Sequence, residues 1–427
     1  MSKRARRTGR KEAGLEESTS SEPGGGLVAV LRGARQSLRD LVLEAGLGVF
    51  QELLEEDRER LCGRRHERVE ERRAYRHGHD EGRLVMGGRQ VRVRRPRVRS
   101  TEGEELRLET WEVMSKEDPL EERALEQMLC GVSTRQYERS LEPLPEEVES
   151  MGTSKSSVSR RFVARTRRQV ESFLSRPLGD LDLSVLMFDG VHVGKHLLII
   201  GLGIATDGTK HVLGVVEGAT ESYRVCRGLM RQMIDRGLVV ERRRLVVIDG
   251  SKGLHKAITK TFGEWCVIQR CRVHKLRNIL DHLPKHLQPW YKTKILKAWQ
   301  AETPKKAEDQ LRALVRELEN EHPGAAGSLR EGLEETLTVN RLGLTGALLQ
   351  TLRSTNPIEN LNGAIQRVAR NVKRWRGGSM VVRWAVTGIL EAEPRFRRVR
   401  GYRDLDSLES GLSKIISLEV DTLAVSA

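Results

Sequence analysis

The clearest pattern in the chain is a set of short apolar runs between residues 182 and 270. The segments LSVLMFDGVHV, LLIIGLGIAT and KHVLGVVE follow one another with short polar links, so they predict three antiparallel strands. Two further runs, RRLVVID and WCVIQR, alternate with helical patterns near 221–236 and 252–262. Three meandering strands followed by alternating helix and strand predict a mixed sheet flanked by helices.

Helical patterns dominate the chain after this sheet. Residues 284–350 carry no strand signal, and a last helix is predicted after Thr355-Asn356-Pro357. The order of elements is that of ribonuclease-H-like folds. We therefore predict a multidomain α/β protein whose parts are a ribonuclease-H-like catalytic domain over 179–283 and 351–400, an all-helical insertion over 284–350, and a C-terminal tail over 401–427.

The segment before the sheet predicts three further parts. Residues 1–30 mix basic and acidic residues and read as a disordered tail, and residues 31–115 combine an amphipathic helix near 36–61 with a basic β segment. In that segment Val91 and Val93 alternate with Arg92 and Arg94, so a strand would place the valines on one face and the guanidiniums on the other. This strand is either a solvated edge strand or a surface that contacts DNA phosphates.

Residues 116–178 are predicted to be a helical, helix-turn-helix-like DNA-binding region. Gly131-Val132-Ser133-Thr134 resembles a turn followed by a capped helix, and Ser154 to Arg161 resembles the start of another. Small helical bundles with serine caps also occur without DNA binding. A group of arginines favours DNA here, namely Arg160, Arg161, Arg165, Arg167 and Arg168.

The composition of the chain indicates what it binds and in which cellular compartment it acts. The 427 residues exceed one ordinary core, and 75 Lys and Arg against 60 Asp and Glu give a formal charge of +15, which favours a polyanionic partner such as DNA. Five scattered cysteines do not suggest a disulfide framework. No run approaches the roughly 18 apolar residues of a membrane span. We expect a cytoplasmic, nucleoid-associated protein without a membrane partner.

Asp-Gly occurs at three places, and this dipeptide is typical of hairpin turns. Asp207 fits a turn because β-rich runs flank it. Asp249 instead closes a buried apolar run and leads into a helix, and ligands tend to bind at the carboxyl end of such a strand. Asp189 lies on the first strand, which in a ribonuclease-H-like sheet pairs with the strand that ends at Asp249.

A third acidic residue, Glu359, has two interpretations that can coexist. With Asn356 as N-cap and Pro357 at the first helical position, it would complete a capping box. It would also be a third carboxylate beside the two aspartates. In-line cleavage of a phosphodiester is served by two divalent cations about 3.5–4 Å apart, and Mg²⁺ prefers oxygen ligands. Clustered carboxylates would raise at least one pKa, so such a cluster predicts bound cations.

Cys271 and His274, with Cys266 nearby, allow a zinc half-site as an alternative. No second pair of ligands completes a tetrahedral set, which favours packing at the end of the fifth strand with His274 close to the cleft.

Several motifs together resemble the Mutator-type transposases of bacterial insertion sequences, which belong to the Asp-Asp-Glu transposases. They are FDGVHV, GIATDGTKHVLGVVEGATES, VVIDGSKGLHKAI, IQRCRVHKLRNIL and STNPIENLNGAIQRVARNVKRWRGG. The resemblance implies that Asp189, Asp249 and Glu359 are the catalytic, metal-binding triad for two Mg²⁺ or Mn²⁺ ions. It also implies that Cys271 and His274 form the family's supporting Cys-x-x-His motif. One departure is Cys226, where the family often has an aromatic residue, usually Trp.

The resemblance implies hydrolysis of one strand at the element's end and attack of the released 3′-hydroxyl on target DNA. Alternatives are a structure-selective nuclease without strand transfer and a non-catalytic, element-derived DNA-binding regulator. Terminal repeats and target DNA are the expected partners, and synapsis of two ends favours a homodimer or larger assembly. Arg370, Lys373 and Arg374 follow Glu359 at near-helical spacing, so we predict that they contact DNA, although a solvated basic face is also compatible.

Overall fold

The computed structural model describes residues 44–67, 72–86, 89–116, 119–141, 150–151 and 154–414. These residues divide between two compact units. The first unit comprises the chain up to Leu120 together with Glu138–Ser154, and the second comprises Glu121–Tyr137 together with the chain from Lys155 onward. The tail predicted over 1–30 lies outside the described residues. Among the described residues, no helix is long and apolar enough to cross a membrane.

The first unit is built around a β-hairpin. Its described elements are α1 (44–62), β1 (Ala74–Met86), β2 (Arg89–Ser100), β3 (Glu105–Leu106), α2 (Glu109–Lys116) and β4 (Ser150–Met151). β2 pairs with β1 along its length, and its two ends also pair with β3 and β4. Among the described strands, residues 92–96 pair with β1 alone, so Arg92 and Arg94 lie where β2 has an edge, and both alternatives for this strand stay open. The predicted alternation is confirmed, because Val91 and Val93 are buried with Phe50 while Arg92 and Arg94 are exposed.

Helix α3 (Pro119–Leu129) ends where Gly131 adopts a positive φ of 92°. The Val132 N–H then donates to Gln127 O, which satisfies one of the last carbonyls of the helix. The capped helix predicted after Gly131 does not form, and residues 133–141 hold turns and a 3₁₀ helix. Tyr137 is the only buried side chain from 133 to 140, so this segment lacks the apolar stripe that would anchor a helix. The predicted helix α4 (Lys155–Ser175) does form, but a helix-turn-helix is not confirmed.

The second unit contains a five-stranded mixed sheet with the spatial order β7-β6-β5-β8-β9. Its strands are β5 (Leu183–Val193), β6 (His196–Ala205), β7 (Lys210–Gly218), β8 (Arg244–Ile248) and β9 (Cys266–Arg270). β5, β6 and β7 form the predicted antiparallel meander, and β8 and β9 continue the sheet parallel to β5. Asp207 forms the predicted hairpin turn between β6 and β7 and accepts from the Thr209 N–H at 2.9 Å.

Helices cover both faces of this sheet. Helices α5 (Tyr223–Asp235) and α6 (Lys252–Phe262) pack on the face that contains Leu186 and Phe188 of β5. Helices α13 (Asn356–Ala369) and α14 (Gly378–Ala392) pack on the opposite face, against Val185 and Met187. Because successive side chains of a strand point to opposite faces, Asp189 lies on the face covered by α13.

Cys226, the departure from the family pattern, lies on α5 in the core between that helix and the sheet. It is fully buried, so its small sulfur side chain contributes to packing. A side chain at position 226 therefore packs in the core and does not face solvent.

Helices between the sheet and α13 form a core of their own. The helices of this core are α7 (Arg272–Asp281), α8 (Gln288–Trp299), α9 (Pro304–Glu319) and α10 (Pro323–Arg330). Two more helices precede α13, namely α11 (Thr338–Arg341) and α12 (Gly346–Leu352), and their buried side chains belong to the core of the sheet. Residues 284–350 contain no strand, as predicted. Ile295, Leu311 and Leu329 are among the buried residues of the helical core.

Part of the predicted C-terminal tail is helical. Residues 405–414 form helix α15, and Leu405, Leu408 and Leu412 are buried in the core beneath the sheet. The tail prediction is wrong for these residues because leucines at this spacing form an apolar stripe on one side of a helix. Residues 415–427 lie outside the described part of the chain.

Candidate active site

Two of the predicted acidic residues are placed side by side by the register of parallel strands. Met187 of β5 pairs with Val247 of β8, and Asp189 and Asp249 each follow two residues later. Neighbouring strands lie about 4.8 Å apart, so the two aspartates reach the same level of the sheet. Neither one forms a hairpin turn, because Asp189 is within β5 and Asp249 directly follows β8.

A buried arginine fixes the loop that follows Asp249. Gly250 has a φ of 120°, and its carbonyl accepts a hydrogen bond of 2.9 Å from Arg270 Nη2. A Cβ at Gly250 would lie 2.5 Å from Arg270 Nε, so the loop requires glycine on both conformational and steric grounds. Arg270 also pairs with Glu331 of the helical insertion at 3.3 Å. Sequence reasoning did not predict the contact between Arg270 and Glu331, because the two residues are 61 positions apart in the chain.

Glu359 lies in the first turn of α13, and its carboxylate is held by Thr355. The Thr355 Oγ1 donates to Glu359 Oε1 at 2.7 Å, and the Glu359 N–H donates to Thr355 O at 3.0 Å. The predicted capping box is wrong, because Thr355 rather than Asn356 is the N-cap and its side chain caps no backbone N–H. The threonine hydroxyl instead orients a carboxylate that keeps 37% of its side chain exposed.

Cys271 and His274 lie next to the same threonine. Cys271 is fully buried at the start of α7, and its Sγ lies 3.3 Å from Thr355 Oγ1. Burial raises the pKa of the Cys271 thiol, but hydrogen bonds with His274 and Thr355 outweigh it, so the pKa lies below its usual value. The hydrogen bond with Cys271 raises the pKa of His274 to about 9. Each group of the pair thus stabilises the charged form of the other.

For the zinc alternative, the described residues supply only part of a tetrahedral ligand set. Donor atoms of Cys271, His274 and Glu359 lie within 4.8 Å of one another, and His274 Nε2 is 3.9 Å from Glu359 Oε1. Cys266 is the first residue of β9, and Cys271 directly follows the last one. A strand rises about 3.3 Å per residue, so the length of the strand keeps the two cysteines apart. Among the described residues no fourth ligand completes this set, and His274 lies close to the acidic residues as predicted.

Asn362 connects the strand that carries Asp189 with the helix that carries Glu359. It lies three residues after Glu359 on α13 and is only 6% exposed. Its Nδ2 donates to Asp189 Oδ2 at 2.7 Å, whereas its Oδ1 is buried and has no hydrogen-bond partner among the described residues. Sequence analysis missed Asn362, although residues three apart share a face of a helix and the position could have been inspected on that ground.

The carboxyl groups of the site interact electrostatically with one another. Asp189 is 7% exposed, and burial together with the charge of Asp249 raises its pKa to about 7. Glu359 and Glu221 raise it further, and His274 opposes the effect. This direction agrees with the expected rise of at least one pKa in the cluster. Carboxylate oxygens with a buried, unpaired amide oxygen beside them form a donor set of the kind that suits Mg²⁺ or Mn²⁺.

The predicted DNA-binding residues are placed on several surfaces. Arg160 on α4 is exposed, while Arg161 and Arg165 on the same helix are half-buried. Arg370, Lys373 and Arg374 are exposed, but α13 ends at Ala369, so Lys373 and Arg374 do not continue the helical face of Glu359. The chain leaves the helical path where the Asn371 Nδ2 donates to Leu129 O at the end of α3.

The chain is similar in sequence to several known proteins. Residues 27–397 match the family described as "Transposase, Mutator family". A transposase for insertion sequence element ISRM5 of Rhizobium meliloti is 28% identical over 366 residues, which are 84% of this chain and 89% of that protein. A transposase for insertion sequence element IS256 in transposon Tn4001 of Staphylococcus aureus is 27% identical over 336 residues, which are 75% of this chain and 81% of that protein.

Proposed function

Because this chain belongs to the Mutator family of transposases, we propose that it cuts DNA at the ends of an insertion sequence and joins the released 3′-hydroxyl to target DNA. The observation that carries the proposal is geometric. The register of β5 and β8 places Asp189 and Asp249 side by side, and the hydrogen bond from Asn362 to Asp189 brings the first turns of α13, which carry Glu359, to the same end of the sheet. The strand order β7-β6-β5-β8-β9, with the first three strands antiparallel, supports a ribonuclease-H-like catalytic domain.

The three carboxylates would hold two Mg²⁺ or Mn²⁺ ions. When bound, such ions activate the attacking oxygen and neutralise the leaving oxygen of an in-line displacement. Asn362 orients Asp189 through its amide, and Thr355 orients Glu359 through its hydroxyl. Hydrogen bonds of this kind fix the direction in which each carboxylate presents its free oxygen.

The proposed chemistry consists of two displacements at phosphorus. Water attacks the phosphodiester at the element's end, and the bond to the 3′-oxygen breaks so that this oxygen leaves as a 3′-hydroxyl. That hydroxyl then attacks a target phosphodiester and displaces a target 3′-oxygen. No bond to the protein forms in either step. In the metal-free protein His274 has a raised pKa of about 9 and lies 3.9 Å from Glu359, so it can offset negative charge there.

The two alternatives differ from this proposal in their products. A structure-selective nuclease would cut without joining, and a regulator would bind without cutting. The buried, mutually repelling carboxylates favour an enzyme, since a non-catalytic scaffold gains nothing from keeping Asp189 in such surroundings.

The test is an assay with labelled element-end DNA, Mg²⁺ and a supercoiled target plasmid. We expect nicked element ends and a labelled product joined to the plasmid, both dependent on the metal. Nicking without joined product would support the nuclease. Binding with neither product, under conditions in which a known transposase is active, would support the regulator.

The exposed basic segment after α13 predicts a measurable share of DNA affinity. Replacing Arg370 and Lys373 together with alanine should weaken binding and reduce the slope of log affinity against log salt by about 2, since each phosphate contact contributes roughly 1. The control is Lys306→Ala on α9, where the lysine is engaged by Glu302. An unchanged slope in the double variant, measured by fluorescence anisotropy across salt concentrations, would contradict a role for this segment in DNA binding.

A further inference from the structure

A fourth carboxylate, Glu221, reaches the backbone next to Asp189. Glu221 lies between β7 and α5, just before the N-cap Ser222. A Cβ placed on Gly190 would lie 1.9 Å from Glu221 Oε1, so the carboxylate occupies the space that any side chain at position 190 would need. The residue after Asp189 must therefore be glycine for Glu221 to adopt this position.

A second glycine, Gly253, also makes room for Glu221. Gly253 lies in the first turn of α6, which follows the Asp249 loop, and a Cβ there would lie 2.0 Å from Glu221 O and 3.0 Å from Tyr223 N. Two glycines that are 63 residues apart, one after Asp189 and one after Asp249, thus make room for Glu221. Close backbone approach of this kind is a common reason for glycine.

The charged residues around Glu221 include those of the proposed metal site. Glu221 interacts unfavourably with Asp249 and with Asp189, and favourably with His192 and His274, and it shares a hydrogen bond with Ser251. No lysine or arginine of the described residues forms an ion pair with it. Half-buried carboxylates that face one another without a basic partner are arranged for a cation.

An independent observation at the same site is the side chain of Asn362. This residue is more than nine-tenths buried, its Nδ2 is committed to Asp189, and its Oδ1 has no partner among the described residues. Buried polar oxygens are normally satisfied, so this one marks a place where a ligand with positive charge or a donated proton is accommodated.

From these contacts we infer that Glu221 is a fourth carboxylate of the metal site and supplies an oxygen ligand beside Asp189 and Asp249. The inference rests on the proposed metal-dependent function. It adds a residue from the connection between β7 and α5 to a set otherwise drawn from β5, the end of β8 and α13.

The test measures Mn²⁺ binding to the full-length protein without DNA, by titration calorimetry. Glu221→Gln keeps the shape and removes the charge, and we expect it to weaken Mn²⁺ binding at one site by about 10- to 100-fold. Asp249→Asn should show a comparable loss. Glu217→Gln is the matched control, because Glu217 lies near the end of β7 and pairs with His196, and this variant should bind Mn²⁺ as the wild type does.

The outcomes separate this inference from the proposed function. Wild-type affinity in Glu221→Gln, together with weakened binding in Asp249→Asn, overturns the inference alone. Absence of Mn²⁺ binding to the wild-type protein overturns both.

A double-mutant cycle tests the steric contact itself. Gly190→Ala should lower the melting temperature and the Mn²⁺ affinity of the wild type, because the new methyl group displaces the Glu221 carboxylate. In a Glu221→Ala background the same substitution should lower the melting temperature less, since the space is then open apart from Leu197. Equal losses in the two backgrounds would contradict the placement of Glu221 against Gly190.

Discussion

Replacing Asp249 with asparagine abolishes strand cleavage, and the joined product disappears with it. We expect a fall of at least about 1,000-fold in the rate of nicking at element ends, which corresponds to roughly 4 kcal/mol of lost transition-state stabilisation. The physical reason is that the side chain changes little in volume but loses the charge needed to hold a divalent cation at the end of β8. Binding of element-end DNA should stay within about twofold, because phosphate contacts supply most of that affinity.

A matched control is available within the same chain. Asp207→Asn alters the same Asp-Gly dipeptide in the turn between β6 and β7, where the side chain accepts from the Thr209 N–H and an amide oxygen accepts equally well. This variant should cleave at the wild-type rate. Glu359→Gln should fail as Asp249→Asn does. A tenfold fall in rate corresponds to a loss of about 1.4 kcal/mol in transition-state stabilisation. If Asp249→Asn cleaves at more than about a tenth of the wild-type rate, the loss is smaller than this, and Asp249 is not part of the active site.

The parts of the fold that the sequence predicts are those set by local patterns. Continuous apolar runs predicted the strands that carry Asp189 and Asp249, because buried strands need apolar residues on both faces. The same reasoning separated Asp207, which lies in a real hairpin turn, from the other two Asp-Gly pairs. Pairing of the strand of Asp189 with the strand of Asp249 was expected from the order of elements, and β5 and β8 do pair, in parallel.

The parts that the sequence does not predict depend on contacts between distant segments. Asn362 bonds to Asp189 across 173 residues of sequence, and Glu221 becomes visible only when the space beside Gly190 is measured. Nothing local distinguishes these side chains from ordinary polar residues on helices and loops. The capping of α13 was wrongly predicted for a related reason, since the Thr355 side chain bonds to the side chains of Glu359 and Cys271 instead of to a backbone N–H of the helix.

The same crowding of charge predicts that the metal-free enzyme gains stability when Asp189 is replaced by asparagine. Burial and the neighbouring carboxylates raise the pKa of Asp189 to about 7, against about 4 in an unfolded chain. Between those two values the folded state binds more protons than the unfolded state, so the stability of the wild type falls as pH rises from about 4 to about 7. Above pH 7 the full penalty is present. A pKa difference of one corresponds to about 1.4 kcal/mol, so the gain at pH 8 is on the order of 4 kcal/mol.

Thermal unfolding of both proteins at pH 5 and pH 8, with chelator present, measures this effect. Asp189→Asn should melt several degrees above the wild type at pH 8, and the difference should shrink at pH 5, where the wild-type carboxyl is protonated. Mg²⁺ should restore much of the wild type's stability at pH 8 and should act weakly on the variant, because a cation that binds only the folded state stabilises it. Asp207→Asn provides the opposite case, since hydrogen bonds from Thr209 lower the pKa of Asp207 and its replacement should confer no gain. If Asp189→Asn melts at or below the wild-type temperature at pH 8, then Asp189 does not lie among repelling carboxylates, and the argument for cations at this site loses its electrostatic basis.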